Sequence, residues 1–256
     1  MRPLLLLPLL PLLAAFGARP ASEDAEQSPV LVFAAASTAD ALQELGRAFE
    51  HETGRTVRFA FGASSDLARQ VAAGAPADAF LSADEAQLER AASSGRLVTR
   101  TRVPLLSNRL VVVVPSGAQE APRDAAGLLK LPRLALADPQ AVPAGVYARN
   151  WLQGRGLWAQ LAARVVPTVD VRAALAAVET GRVAAAVVYA TDAAHSKRVR
   201  VAFEVPTSES PRIVYPAAAL TGGHAPAGGE AFVRFLQSPA ARAVFLRHGF
   251  GSAAHP

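Results

Sequence analysis

Two serines lie where an apolar run gives way to a helical pattern. Ser37 follows the apolar run 30–35, and Ser64 follows the run 56–61. Serine is a common helix N-cap, and the small residues around both serines leave the backbone accessible to a ligand. A hydroxyl can donate a hydrogen bond to an anion, so both junctions are candidate parts of an oxyanion site.

Two further junctions could supply backbone amides. Ala144 follows Pro143, which suits a first helical turn, and Val171 opens the predicted helix 171–179. The N–H groups at a helix N-terminus are unpaired and lie at the positive end of the helix dipole, where they favour anions. If these helix ends converge, five neutral donors could hold an anion without arginine: the hydroxyls of Ser37 and Ser64, the amides of Ala144 and Val171, and the phenol of Tyr189.

Each of these features also has an ordinary structural explanation. A serine at a strand-to-helix junction is usually a cap without a ligand. Tyr189 ends an apolar run and could be a core aromatic, and the sequence 143–145 alone is only a turn. The spacing of the residues therefore permits an anion site but does not require one.

The elements that must position these residues alternate between short β-rich runs and alanine-rich helical stretches. One such set covers about 30–93 and a second begins near Arg109. This rhythm is typical of an α/β fold, in which helices cover both faces of a sheet. Because no flexible linker separates the sets, we expect two lobes joined by direct crossings near 105–109 and 213–218. The predicted division is 29–107 with 217–253 for lobe I, and 108–216 for lobe II.

The N-terminal residues 1–17 are predicted to be a secretory signal peptide. Arg2 gives a basic start, the run 4–16 is apolar, and small residues follow it. The alternative is a membrane anchor, but the run is shorter than the roughly 20 residues that a span needs and contains Pro8 and Pro11. We therefore expect an exported protein in the periplasm. The absence of cysteine excludes disulfides and lipid attachment through an N-terminal cysteine.

Charge and motifs argue against several other functions. The net charge is +5, but the 26 Lys and Arg residues form no dense run, so we expect no nucleic-acid partner. The sequence has no Gly-x-Ser-x-Gly elbow, phosphate loop or His-Glu-x-x-His motif, so we do not expect an enzyme. The five histidines are scattered, and a solvated surface role is the first expectation for each: His51, His195, His224, His248 and His255.

A set of short strings resembles the periplasmic molybdate-binding proteins of ABC transporters. Each string is weak alone, but they follow the order found in that family across almost the whole chain after the predicted signal peptide. The strings are 32–37, 67–70, 74–78, 81–84, 108–113, 138–139, 142–145, 170–172, 188–193 and 215–216.

The resemblance implies a two-lobed type II periplasmic-binding fold, with a mixed sheet flanked by helices in each lobe and a ligand cleft between the lobes. It implies that molybdate is held by Ser37, Ser64, the amides of Ala144 and Val171, and Tyr189, with no separate cofactor. The second loop, 62–66, has fewer serines than many relatives, which leaves Ser64 and Ser65 as alternatives. Asp66 in that loop must point away from an anion.

The implied mechanism is hinge closure of the two lobes around the oxyanion, followed by delivery to an inner-membrane permease. Sulfate would be rejected because a smaller tetrahedron cannot reach every donor, whereas tungstate would not be distinguished. We expect a monomer. The alternatives are a binding protein for sulfate or another oxyanion, a sensory module that binds the same anion, and an enzyme acting on phosphate esters.

Overall fold

A computed structural model describes residues 28–253. The predicted signal peptide, 1–17, lies outside the described residues. The strands are β1 (Val30–Ala35), β2 (Val57–Gly62), β3 (Ala79–Leu81), β4 (Val103–Ser107), β5 (Leu110–Pro115), β6 (Leu134–Ala137), β7 (Val165–Thr168), β8 (Ala185–Tyr189), β9 (Val199–Glu204), β10 (Val214–Ala219) and β11 (Gly251–Ser252). The α-helices are α1 (Ala39–Thr53), α2 (Ser64–Ala72), α3 (Glu85–Ala92), α4 (Pro143–Gly154), α5 (Trp158–Leu161), α6 (Val171–Glu179), α7 (Ala190–Ala194), α8 (Pro226–Phe235) and α9 (Pro239–Arg247).

The strands form two mixed sheets. The first has the order β11-β4-β10-β3-β1-β2, and the second has the order β7-β6-β8-β5-β9. In the first sheet β1 pairs in parallel with β2 and β3, and in the second β6 pairs in parallel with β7 and β8. Helices pack against both sheets, so the predicted α/β fold with two sheet-containing lobes is confirmed.

The chain crosses twice between the sheets. The first crossing follows β4 at Ser107, and the second lies between β9 and β10. All of β10 belongs to the first sheet, so the predicted boundary between 216 and 217 falls inside this strand. Within the strand, the register against β4 shifts between Tyr215 and Pro216.

Both sheets contain strands that are nearly unbroken apolar runs. Every residue of β10 is buried, as is every residue of β6 and β8. Strands covered on both faces have this pattern, because neither side of the sheet reaches water. Within residues 28–253 no helix is both long and apolar enough to cross a membrane.

Candidate anion-binding site

The carboxyl ends of five strands face a cleft between the two sheets. In the first sheet β1 leads through a short 3-10 turn, Ala36–Thr38, into α1, and β2 leads into α2. In the second sheet β6 leads into α4, β7 into α6 and β8 into α7. Because the carboxyl ends of parallel strands meet at one edge of a sheet, the helix N-termini of each lobe gather there, where open α/β sheets bind their ligands.

A cavity between the lobes collects all five predicted site residues. Ser37 and Ser64 come from the lobe of the first sheet, and Ala144, Val171 and Tyr189 come from the lobe of the second. The complete lining is Ala36, Ser37, Gly62, Ala63, Ser64, Ala83, Val142, Pro143, Ala144, Asp170, Val171 and Tyr189.

The hydroxyl of Ser37 is held by a tyrosine that the sequence analysis did not assign to the site. Its oxygen lies 2.9 Å from the phenol oxygen of Tyr215 on β10, and both residues are buried. The amide of Asn108 donates to the same phenol oxygen at 3.2 Å and to Thr191 at 2.9 Å. Asn108 lies at the first crossing, so this network ties Ser37 to the hinge and to the opposite lobe.

Ser64 and Ser65 have different surroundings. Ser64 is the first residue of α2 and lines the cavity, and its hydroxyl oxygen accepts a 2.9 Å hydrogen bond from the backbone of Ala83. Its hydroxyl proton therefore stays available for a ligand. Ser65 is buried and is not part of the cavity lining, and its oxygen has no partner among the described residues. Asp66 is half exposed and pairs with Arg69 at 2.5 Å, so its carboxylate points away from the cavity.

The amides of Ala144 and Val171 lie in the first turns of α4 and α6. Neither N–H has a protein acceptor within residues 28–253, as expected at helix N-termini. Gly145 lets α4 approach the end of β6 closely, since a Cβ at this position would lie 2.0 Å from the carbonyl oxygen of Ala137. Asp170 caps α6 by accepting from the N–H of Ala173 at 2.8 Å, which directs its carboxylate along the helix.

The phenol of Tyr189 is the unpaired polar group of the site. The side chain is 1% exposed and lines the cavity, and its oxygen makes no hydrogen bond of ordinary distance and angle among the described residues, with the Tyr215 phenol as its polar neighbour. Burial raises the pKa of Tyr189 well above its usual value, so the phenol stays neutral and keeps its proton. A buried hydroxyl without a partner is costly, which suggests that a ligand completes its hydrogen bonding.

The donor set of the cavity is neutral. No lysine or arginine is part of its lining, which is fully described in 28–253. The described residues also contain no group of three or more His, Asp or Glu side chains arranged to hold a metal ion. Hydroxyl and amide donors that converge from two lobes suit a small anion with several acceptor oxygens, because the helix dipoles supply positive potential without a cation.

Sequence reasoning missed several contributors. Ala83 was noted only within a family string, but its amide orients Ser64. Tyr215 likewise stood in a string and had no assigned role. His195 and His248 were expected on the surface as separate residues, yet their ring nitrogens are 3.1 Å apart, one in each lobe. Such long-range pairs leave no local signal in the sequence.

The fold and the site together define a two-lobed α/β binding protein with a candidate ligand cleft between the lobes. A family model described as bacterial extracellular solute-binding protein matches residues 30–251, which include all five candidate donors. The chain therefore belongs to the bacterial extracellular solute-binding proteins.

Three proteins similar to this chain are named for the solute that they bind. The molybdate-binding protein ModA of Escherichia coli is 40% identical over 88% of this chain and 90% of its own length. A solved periplasmic molybdate-binding protein of Azotobacter vinelandii has a TM-score of 0.76 at 24% identity, covering 86% of this chain and 98% of that one. The sulfate-binding protein SubI of Mycobacterium tuberculosis has the same TM-score at 20% identity, covering 87% and 86%. These three proteins are named for solute binding, and the two structural matches show a shared fold only.

Proposed function

We propose that this chain binds molybdate, and tungstate equally, in the periplasm and delivers the anion to an ABC permease in the inner membrane. The observation that carries the proposal is the convergence of five neutral donors from both lobes on one cavity. The name of the 40% identical relative supports molybdate as the anion. The protein would act as a monomer, without a cofactor and without chemical conversion of the anion.

The proposed binding cycle follows from the division of donors between the lobes. In an open form, the hydroxyls of Ser37 and Ser64 would be separated from the amides of Ala144 and Val171 and from Tyr189. An oxyanion that bridges both sets would favour the closed form, because closure excludes water and completes the hydrogen bonding of a buried charge. The closed shape would then be the form that the permease recognises.

Sulfate is the second candidate, because the fold match to the sulfate-binding protein is as good as that to the molybdate-binding protein. The cavity decides between the two anions by size. A smaller tetrahedron would leave at least one donor without a partner, and a lost hydrogen bond to a charged group costs about 1.5–3 kcal/mol.

Titration calorimetry of the purified protein tests this proposal. We expect micromolar or tighter binding of molybdate and tungstate, and sulfate and phosphate weaker by at least about tenfold, which corresponds to one lost bond. Tight sulfate binding with none of molybdate would replace the proposal with the sulfate alternative. Hydrolysis of a phosphate ester by the protein would instead favour an enzyme.

Delivery to a permease needs a separate assay. We expect the gene to restore molybdate uptake in a bacterial strain that lacks its own molybdate-binding protein. A chain that binds molybdate in calorimetry but fails to restore uptake, and that co-purifies with a regulatory protein instead of a permease, would favour the sensory alternative.

A further inference from the structure

An arginine beside the cavity connects the two lobes. Arg172 follows Val171 in the first turn of α6, and its Nη2 donates to Asp40 Oδ2 at 2.5 Å. Asp40 lies in the first turn of α1, three residues after Ser37. The Nε of the same guanidinium lies 2.6 Å from Oδ1 of Asp192, which belongs to α7 and follows Tyr189 by three residues. One side chain thus joins α6, which carries Val171, to the helices that directly follow Ser37 and Tyr189.

The two carboxylates hold Arg172 in different ways. Asp192 is fully buried, and burial raises its pKa to about 7 although Arg172 acts in the opposite direction. A buried carboxylate of this kind depends on its cation, so Arg172 and Asp192 form a fixed unit of the second lobe. The Asp40 side chain is 39% exposed and belongs to the first lobe. Its bond to Arg172 is therefore the part that lobe opening would break.

From this geometry we propose that Arg172 is a positioning residue that latches the closed cleft by binding Asp40 and thereby holds the Val171 amide against the anion. This inference rests on the proposed function for its ligand. The guanidinium itself stays outside the cavity lining, so it acts through closure and not by direct contact with the anion.

A second contact across the lobes lies beside the first. The ring nitrogens of His195, at the end of α7, and His248, at the end of α9, are 3.1 Å apart, and His248 also bonds Glu44 of α1 at 2.9 Å. Asp40 and Glu44 lie one turn apart on α1. The latch is therefore part of a continuous polar seam between the lobes.

The direction in which one substitution changes anion affinity distinguishes this role from a simple charge effect. Asp40 places a negative charge close to a site for a doubly negative ligand. If its charge acted only through long-range electrostatics, replacing it with asparagine would strengthen anion binding. If Asp40 closes the latch, the same replacement weakens binding, because the closed form loses a charge-assisted bond.

Calorimetry with molybdate on matched variants makes this test. We expect Asp40→Asn to weaken binding roughly three- to tenfold, the range for a partly exposed, charge-assisted pair, and Asp40→Glu to recover part of the loss. Glu230→Gln is the control, since it makes the same change in net charge and removes the pair with Arg100, which lies within one lobe. We expect it to bind as the wild type does. Unchanged or tighter binding by Asp40→Asn would overturn the inference.

A distance measurement separates failure of the latch from failure of the proposed function. The chain has no cysteine, so cysteines replacing the exposed Glu52 and Gln160 would carry one spin label on each lobe. We expect Asp40→Asn to shift the distance distribution toward the open spacing, with and without molybdate. If the wild type binds no molybdate, the proposed function fails, and the distributions without ligand still decide the latch. Identical distributions for the wild type and Asp40→Asn would reject it.

Discussion

The hydroxyl oxygen of Ser37 lies 2.9 Å from the phenol oxygen of Tyr215, a residue 178 positions further along the chain. The pair joins the turn after β1 to the buried strand β10 of the same sheet. When the Tyr215 phenol donates to the Ser37 oxygen, the Ser37 proton is left for an anionic ligand. A neutral hydroxyl must be oriented toward an anion to hold it, and the contact with Tyr215 orients the Ser37 hydroxyl.

Replacing Tyr215 with phenylalanine should therefore weaken anion binding without changing the cavity lining. We expect molybdate affinity to fall about three- to tenfold, since the variant loses the orientation of Ser37 and leaves the amide of Asn108 with one acceptor fewer. Calorimetry on Tyr215→Phe and Ser37→Ala, alone and combined, checks the coupling. If the losses of binding free energy in the two single variants add up to the loss in the double variant, the two hydroxyls act independently.

Tyr189→Phe should have opposite effects on stability and on binding. The phenol has no partner among the described residues, so its removal should leave the ligand-free melting temperature unchanged or raise it. Molybdate affinity should fall about tenfold or more, because a bond to a charged ligand is lost. Thermal denaturation with and without molybdate measures both effects. Tyr147→Phe, in a half-buried residue outside the lining, is the control, and equal losses of affinity in both variants would contradict a role for the Tyr189 hydroxyl.

Two glycines of α4 give a matched test of helix placement. A Cβ at Gly145 would meet the carbonyl oxygen of Ala137 at 2.0 Å, whereas one at Gly154 would meet nothing within 4 Å. We expect Gly145→Ala to cost roughly 2–4 kcal/mol of unfolding free energy, or to displace the helix and abolish binding. Gly154→Ala should be neutral or stabilise by up to about 1 kcal/mol. Denaturant unfolding measures both, and similar stabilities would show that α4 is free to shift.

Ligand affinity should fall as the pH drops below about 6.5, the ordinary pKa of histidine. Burial lowers the pKa of His195, and the charges of His248 and Arg172 lower it further, against an opposing contribution from Asp40. The closed form thus binds this proton less readily than an open form in which His195 is solvated. The stability of the closed form is complete above 6.5 and is lost as the pH falls toward the lowered pKa.

Calorimetry between pH 8 and pH 5.5 on the wild type and His195→Gln measures this dependence. The anion's own titration is common to both proteins, so the difference between them isolates the histidine. Glu44, which bonds His248 within the first lobe, must stay unchanged in both proteins. If molybdate affinity depends on pH in the same way in both proteins, His195 does not contribute to the pH dependence.

The sequence predicted the parts of the structure that depend on local pattern. The apolar run 30–35 predicted a buried strand, and the polar junctions predicted where helices begin. Helix α8 begins at Pro226 although Gly228 and Gly229, in its first turn, have low helix propensity. In the structure these glycines let α8 pack against Val30 and the backbone of Asp78, so tertiary packing overrides helix propensity.

Strand β4 and the contacts between the lobes could not be predicted in the same way. Pro104 interrupts the β pattern of Val103–Ser107, and the strand is recognisable only by its pairing with β10 and β11. The bonds from Tyr215 to Ser37 and from Arg172 to Asp40 join residues more than a hundred positions apart. The sequence contains the residues of these pairs, but only the fold shows that they meet.

A crystal structure of the protein with molybdate would show whether neutral donors from both lobes hold the anion. We expect one tetrahedral anion in the cavity, with its oxygens within about 2.5–3.2 Å of the hydroxyls of Ser37 and Ser64, the amides of Ala144 and Val171, and the phenol of Tyr189. An anion bound elsewhere, or one held in this cavity by a guanidinium or an ammonium group, would contradict it.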